Sequence, residues 1–151
     1  MRTAALFLIV LLACAPLARP LAAQDRQVVH LPGATPAGLP FSPAVRSGNI
    51  VYLSGQIGFL PGTRELAPGG IGQETRQAME NIRRVLEASG SSLERVLKCT
   101  VFLADIADYA AMNEVYATFF KADPPARSTI AASGLAFGAR VEIDCMAVTG
   151  S

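Results

Sequence analysis

Between Gln73 and Ser89 the apolar residues Ala78, Met79, Ile82, Val85 and Leu86 recur at three- and four-residue spacing. That spacing predicts an amphipathic helix, and Gly90 stands where a left-handed residue would end it. Val96 to Leu103 is an apolar, β-branched run of strand length. A second helix is expected after Asp105 or Asp108, either of which can cap it, with a buried stripe of Tyr109, Met112, Val115, Tyr116, Phe119 and Phe120. Asp123-Pro124-Pro125 stops that helix, and Ser128–Ala132 and Arg140–Val148 read as the last two strands, joined through Gly134 and Gly138. Upstream, Gln27–Leu31 is a short extended segment and the proline- and glycine-rich stretch from Pro32 to Pro43 is loop. Ala44-Val45 and Ile50–Leu53 flank the turn signal Gly48-Asn49 and predict a hairpin, after which Gly55 ends the run. Pro61-Gly62 and Pro68-Gly69-Gly70 then mark a long loop.

The order strand, strand, strand, helix, strand, helix, strand, strand defines an α+β domain with both helices on one face of a single sheet. The other face carries apolar residues such as Val101 and Leu103, or their alternates along the strand. A lone small sheet cannot hide both faces from water, so association of copies is expected.

The first residues form a separate unit. Met1-Arg2 followed by the apolar run Ala4–Ala15 has the charged start and short hydrophobic core of a secretory signal, too short to span a bilayer. Cleavage is placed after Ala23, which gives a signal peptide over 1–23 and one domain over 24–151, in the periplasm or outside the cell. Leu11-Leu12-Ala13-Cys14 is a rival, lipobox-like site that would leave a lipid anchor on Cys14. No linker divides the mature chain. A net charge of +1, with both signs interspersed, offers no basic stripe, and nucleic acid is not an expected partner. With one histidine, His30, and no metal-ligand spacing, no metal site is expected. Cys99 and Cys145 lie within apolar runs and read first as buried core thiols. In an oxidising compartment they could form a disulfide if their strands are neighbours.

Several blocks carry a resemblance. Ser54-Gly55-Gln56, Gln77-Ala78-Met79-Glu80-Asn81-Ile82, Lys98-Cys99-Thr100-Val101-Phe102-Leu103, Pro125-Ala126-Arg127-Ser128 and Val141-Glu142-Ile143-Asp144 resemble successive blocks of the Rid (YjgF-type) family of reactive-intermediate deaminases. The resemblance runs from about Pro40 to Val148. It implies the chorismate-mutase-like fold and a homotrimer with sites in the clefts between subunits. It also implies hydrolysis of enamines and 2-imino acids to 2-oxo acids and ammonia without a cofactor, as in 2-iminobutanoate/2-iminopropanoate deaminases.

That chemistry needs a planar cation for the substrate carboxylate and a base that positions water. Arg127 fits the first role through two parallel hydrogen bonds, and Glu142 fits the second. On spacing alone Arg127 would more often cap a turn after Pro-Pro, and Glu142 would lie on a solvated strand face with Asp144 and Met146. The resemblance reverses those odds. By the same resemblance Asn113 helps bind substrate and Gly55 lets backbone approach the ligand. Thr129 stands where many relatives have cysteine, so any role there falls to its backbone N–H. Phe41 stands where the family often has tyrosine, and can wall the pocket without donating a hydroxyl hydrogen bond. The alternative is a binding module that holds a small carboxylate in the same cleft without turnover. A ribonuclease reading is disfavoured by the near-neutral charge and the absence of tryptophan.

Overall fold

A computed structural model describes residues 26–31 and 40–150 of the chain. The expected signal peptide, Cys14 and most of the Pro32–Pro43 loop lie outside the described residues. Among them, seven strands form one mixed sheet: β1 (Arg26–Val29), β2 (Ala44–Ser47), β3 (Ile50–Leu53), β4 (Gln56–Ile57), β5 (Val96–Leu103), β6 (Ala126–Ala131) and β7 (Val141–Val148). Helix α1 (Ile71–Ala88) follows β4, and helix α2 (Tyr109–Tyr116) lies between β5 and β6. The strand order is β1-β2-β3-β7-β5-β6, with β4 also paired to β7. The β2–β3 hairpin turns at Gly48, whose φ of 60° is the left-handed conformation that glycine adopts without strain. β5 and β6 run parallel because α2 carries the chain back across the sheet. Gly90 is left-handed as expected, and beyond it the Ser91 N–H donates to the Leu86 carbonyl at 2.9 Å, closing the end of α1.

The core follows from the alternation of the strands. Val51 and Leu53 of β3, Val101 and Leu103 of β5, and Val141, Ile143, Cys145 and Ala147 of β7 face the helices. There they meet Ala78, Met79, Ile82, Val85 and Leu86 of α1 and Met112 and Tyr116 of α2. Thus Val101 and Leu103 belong to the covered face, and their alternates, with Tyr52, Ile130 and Met146 from the flanking strands, lie on the bare one.

Three features depart from the sequence expectation. β4 was read as loop. It is too short for periodicity to register, and it is held from outside: the Asn81 amide on α1 donates to the carbonyls of Ile57 (3.1 Å) and Phe59 (2.9 Å). β6 begins at Ala126, not Ser128, which places Arg127 inside a strand instead of in a turn. The second helix is a single short α-helix between 3-10 turns, and its stripe is only partly buried. Asp105 caps the preceding turn by accepting from the Ala107 N–H at 2.9 Å, whereas the Asp108 carboxylate is drawn away to Arg140 at 2.8 and 2.9 Å. Tyr109 is 41% exposed, so it does not belong to the core. Glu74, buried under the sheet end, accepts the Arg140 N–H at 2.8 Å and ties α1 to the start of β7.

Cys99 and Cys145 are directly paired across β5 and β7 and are joined as a disulfide with Cα atoms 4.1 Å apart, correcting the expectation of free thiols. Neighbouring strands supply the short Cα separation that sequence could not reveal. The bridge closes a loop of sequence separation 46. Loop-closure entropy then puts its contribution at about 2–4 kcal/mol. A Cys99→Ala/Cys145→Ala variant is expected to lose that much in urea unfolding at matched protein concentration. Mass spectrometry of alkylated wild type should detect no free thiol at either position.

Candidate active site

The sequence candidates fall into two groups. Arg127, half-buried on the edge strand β6, is aligned with Cys99 and therefore points to the helix side of the sheet. Its guanidinium carbon lies 4.8 Å from the ring centre of Tyr116 and 5.7 Å from that of Tyr109, and its Nη2 donates to the Tyr109 hydroxyl at 3.2 Å. Every one of these partners is neutral. Arg83 and Arg140, by contrast, are engaged by the carboxylates of Glu80, Glu87 and Asp108. A cavity of about 390 Å³ opens beside Arg127, walled by Tyr116, Ala117, Phe120, Pro124 and Pro125, with Asn113 as its other polar lining residue. The neighbouring Asn113 side chain, then the charge and hydrogen bond of Arg127, hold the Tyr109 phenol below its ordinary pKa. Burial pushes Tyr116 the other way, up to about 12, against a smaller pull from Arg127. Thr129 follows two residues along β6 on the same side, its hydroxyl buried without a partner among the described residues.

Glu142 heads the second group. It stands on β7 with Asp144 on the face that no helix covers, as the alternation of Val141, Ile143 and Cys145 requires. Burial raises its carboxyl pKa first, and the neighbouring Asp144 raises it further. Gly55 interrupts the β3–β4 edge beside it, where a Cβ would overlap the Glu142 carboxylate, so a glycine is needed there for space and not for φ. Phe41, 51% exposed, belongs near this group: the adjacent Ser42 carbonyl accepts from the Ser54 hydroxyl at 2.6 Å.

One chain does not bring Arg127 and Glu142 together. Arg127 aligns with Cys99 and Cys145, whereas Glu142 aligns with Phe102 and Ile130, two strands over and three residues along. Strand spacing and rise put their Cα atoms about 14 Å apart, with the side chains on opposite faces. The chain thus carries two separate candidate half-sites, a cation beside an apolar cavity and a carboxylate on the bare face. Sequence reading assigned both tyrosines to a core stripe, which holds for Tyr116 and not for the exposed Tyr109, and missed their place beside Arg127. Their spacing of 109, 113 and 116, on one helix face with Asn113, was the available signal.

A mixed sheet with two helices on one face, an arginine on its edge strand and a glutamate on its central strand define a YjgF-type fold. The profile of the Endoribonuclease L-PSP family matches residues 33–149. The chain belongs to this family, that of the Rid proteins. It is 40% identical over 125 residues to the 2-iminobutanoate/2-iminopropanoate deaminase of Mus musculus, covering 83% of this chain and 93% of that protein. It is 42% identical over 126 residues to Protein DfrA of Myxococcus xanthus, covering 82% of this chain and 96% of that one. Among solved structures, yeast Mmf1 superposes with a TM-score of 0.79 at 34% identity, covering 83% of this chain and all (100%) of that one. TdcF of E. coli, solved with bound serine, gives 0.76 at 33% identity, covering 82% and 99%. Relatives at this level of identity are named imine deaminases, which supports a deaminase function for the family fold found here.

Gly55→Ala is expected to displace the Glu142 carboxylate while leaving the sheet intact. An imine-deaminase activity that draws on this carboxylate should fall by about a hundredfold, as misplacing a reacting group does. Steady-state rates measured beside an unchanged thermal unfolding midpoint would verify it.

Proposed function

We propose that the protein hydrolyses small 2-imino acids, and the enamines from which they tautomerise, to 2-oxo acids and ammonia. The observation that carries this reading is Arg127 itself, a guanidinium that among the described residues is held by neutral groups beside an apolar cavity. Such a cation is a receptor for a carboxylate, and the apolar walls suit a short alkyl side chain. Glu142 supplies the base. Its carboxylate takes a proton from water as the water oxygen attacks the carbon of the C=N bond, giving a carbinolamine. With the imine nitrogen protonated at the start, the carboxyl returns its proton to the carbinolamine nitrogen and takes the hydroxyl proton as the C–N bond breaks. This leaves the 2-oxo acid and ammonia, which carries that proton away as ammonium. No step of this scheme calls for a cofactor.

Because the half-sites of one chain face apart, the working site is composite. The bare face of one copy, with Glu142 and Gly55, lies against the β6 edge of the next, with Arg127 and Asn113. Three copies closing a ring give three such clefts and cover the apolar residues Tyr52, Ile130 and Met146. We place the protein outside the cytoplasm, as its leader residues suggest, and the Cys99–Cys145 disulfide favours an oxidising compartment. Its imines would then come from exported amino-acid oxidation.

Ammonia release from 2-iminopropanoate generated in situ is expected to exceed the spontaneous rate with wild type and to match it with Arg127→Ala or Glu142→Ala. Glu142→Ala that turned over like wild type would instead leave a carboxylate-binding module. Unfolding and reassembling the two inactive variants together in equal amounts should restore about a quarter of wild-type activity, the share of random interfaces that unite an intact Arg127 with an intact Glu142.

The pH dependence has a definite sign. Glu142 must be ionised to accept a proton, so activity is lost as pH falls through its pKa, which burial and Asp144 hold above the ordinary glutamate value. Asp144→Asn removes the like charge and should move the acidic limb of kcat to lower pH.

A further inference from the structure

We infer that Tyr109 is a substrate-contacting residue: its hydroxyl, set beside Arg127, donates a hydrogen bond to the carboxylate that the guanidinium holds. The inference rests on the carboxylate-binding role of Arg127 and adds a contact that Arg127, Asn113 and Glu142 do not supply.

A hydrogen bond from the guanidinium fixes the phenol. Arg127 has no acceptor atom, so its Nη2 can only donate, and it does so to the Tyr109 oxygen at 3.2 Å. Asn113, one turn further along the same helix, helps to hold that phenol below its ordinary pKa. A phenol oxygen that accepts from Arg127 still keeps its own O–H to donate. Tyr109 is an exposed residue on the first turn of α2, so that proton is not sealed in the core. The guanidinium, for its part, spends one Nη2 proton on Tyr109 and keeps the other protons of its fork. A carboxylate seated on them would bring one oxygen beside Nη2 and next to the phenol. Tyr109 and Arg127 then form a three-pronged receptor in which the hydroxyl both orients the cation and meets the anion. Tyr116 does not share this role. It is 5% exposed, its hydroxyl has no partner among the described residues, and it offers Arg127 its ring face.

The test is binding of the stable product analogue 2-oxobutanoate, and of its uncharged amide, to the full chain by titration calorimetry, together with steady-state kinetics. Tyr109→Phe keeps the ring over Arg127 and removes one oxygen. We expect its Kd for 2-oxobutanoate to rise about tenfold, the usual effect of a lost hydrogen bond to a charged group. KM should rise by a similar factor while kcat stays near wild type, a split that a merely structural role would not produce. The amide should bind weakly and equally to wild type and variant. Unchanged or tighter 2-oxobutanoate binding by Tyr109→Phe overturns the inference, because the hydroxyl would then only park the guanidinium. If wild type binds 2-oxobutanoate but hydrolyses no imine, the deaminase reading fails while the Tyr109 contact stands. If wild type binds no carboxylate, both fall.

Discussion

A strand can offer only alternate side chains to each face of a sheet, and in this protein that constraint acts through β7. Val141, Ile143, Cys145 and Ala147 are sealed under α1, so Glu142, Asp144, Met146 and Val148 have no choice but the bare face. A one-residue slip would bury two carboxylates and expose four apolar side chains, which the core could not tolerate. β7 is also the strand on which β3, β4 and β5 all register. Its disulfide to Cys99 fixes the register at the point where β5 aligns with Arg127. The same alternation that makes the core therefore sets where both half-sites lie.

The two half-sites are prepared by opposite means. Arg127 is made available by what it lacks: ring faces and a hydroxyl hold its plane without cancelling its charge, so an incoming anion does not first have to displace a resident carboxylate. Glu142 is made basic by partial burial and by Asp144 two residues away, both of which make its ionised form less comfortable and its affinity for a proton greater. Had the fold placed the two within one chain at hydrogen-bond distance, each would have quenched the other, because an adjacent cation lowers a carboxylate's pKa. Opposite faces of one sheet keep them apart.

The long-range plan of the fold was legible from periodicity. α1, β5 and the β2–β3 hairpin fall where the pattern puts them, because each is long enough or has a turn signal strong enough to outweigh its surroundings. What periodicity missed depends on partners far away in sequence. β4 exists because Asn81, more than twenty residues on, holds its carbonyl and that of Phe59. Tyr109 leaves the core because the α-helix begins only there, after a turn capped by Asp105. Arg127 and Glu142 were identified through blocks of residues that resemble a family, and no local spacing could have shown that they face opposite ways. The registers β5–β6 and β5–β7 together reveal it. The Cys99–Cys145 bridge was likewise out of reach until the pairing of their strands was known.

Opposite-facing half-sites give the bare face of the sheet a second meaning. Leaving Tyr52, Ile130 and Met146 in water carries an apolar cost that grows with the area exposed, and association is the ordinary way to remove it. Here the face that needs covering also bears Glu142, and Arg127 lies on β6, which among the described residues is an edge strand with none beyond it. The same burial that drives copies together would carry a base up to a cation, and it would exclude water from the space between them. The dielectric around Glu142 would then fall further, which would strengthen the attraction of Arg127 for a substrate carboxylate, and that bound carboxylate would offset the pull of the cation on the glutamate. Stability and chemistry would thus draw on one surface, and a substitution that weakened association would be felt first as lost activity in a chain that still folds.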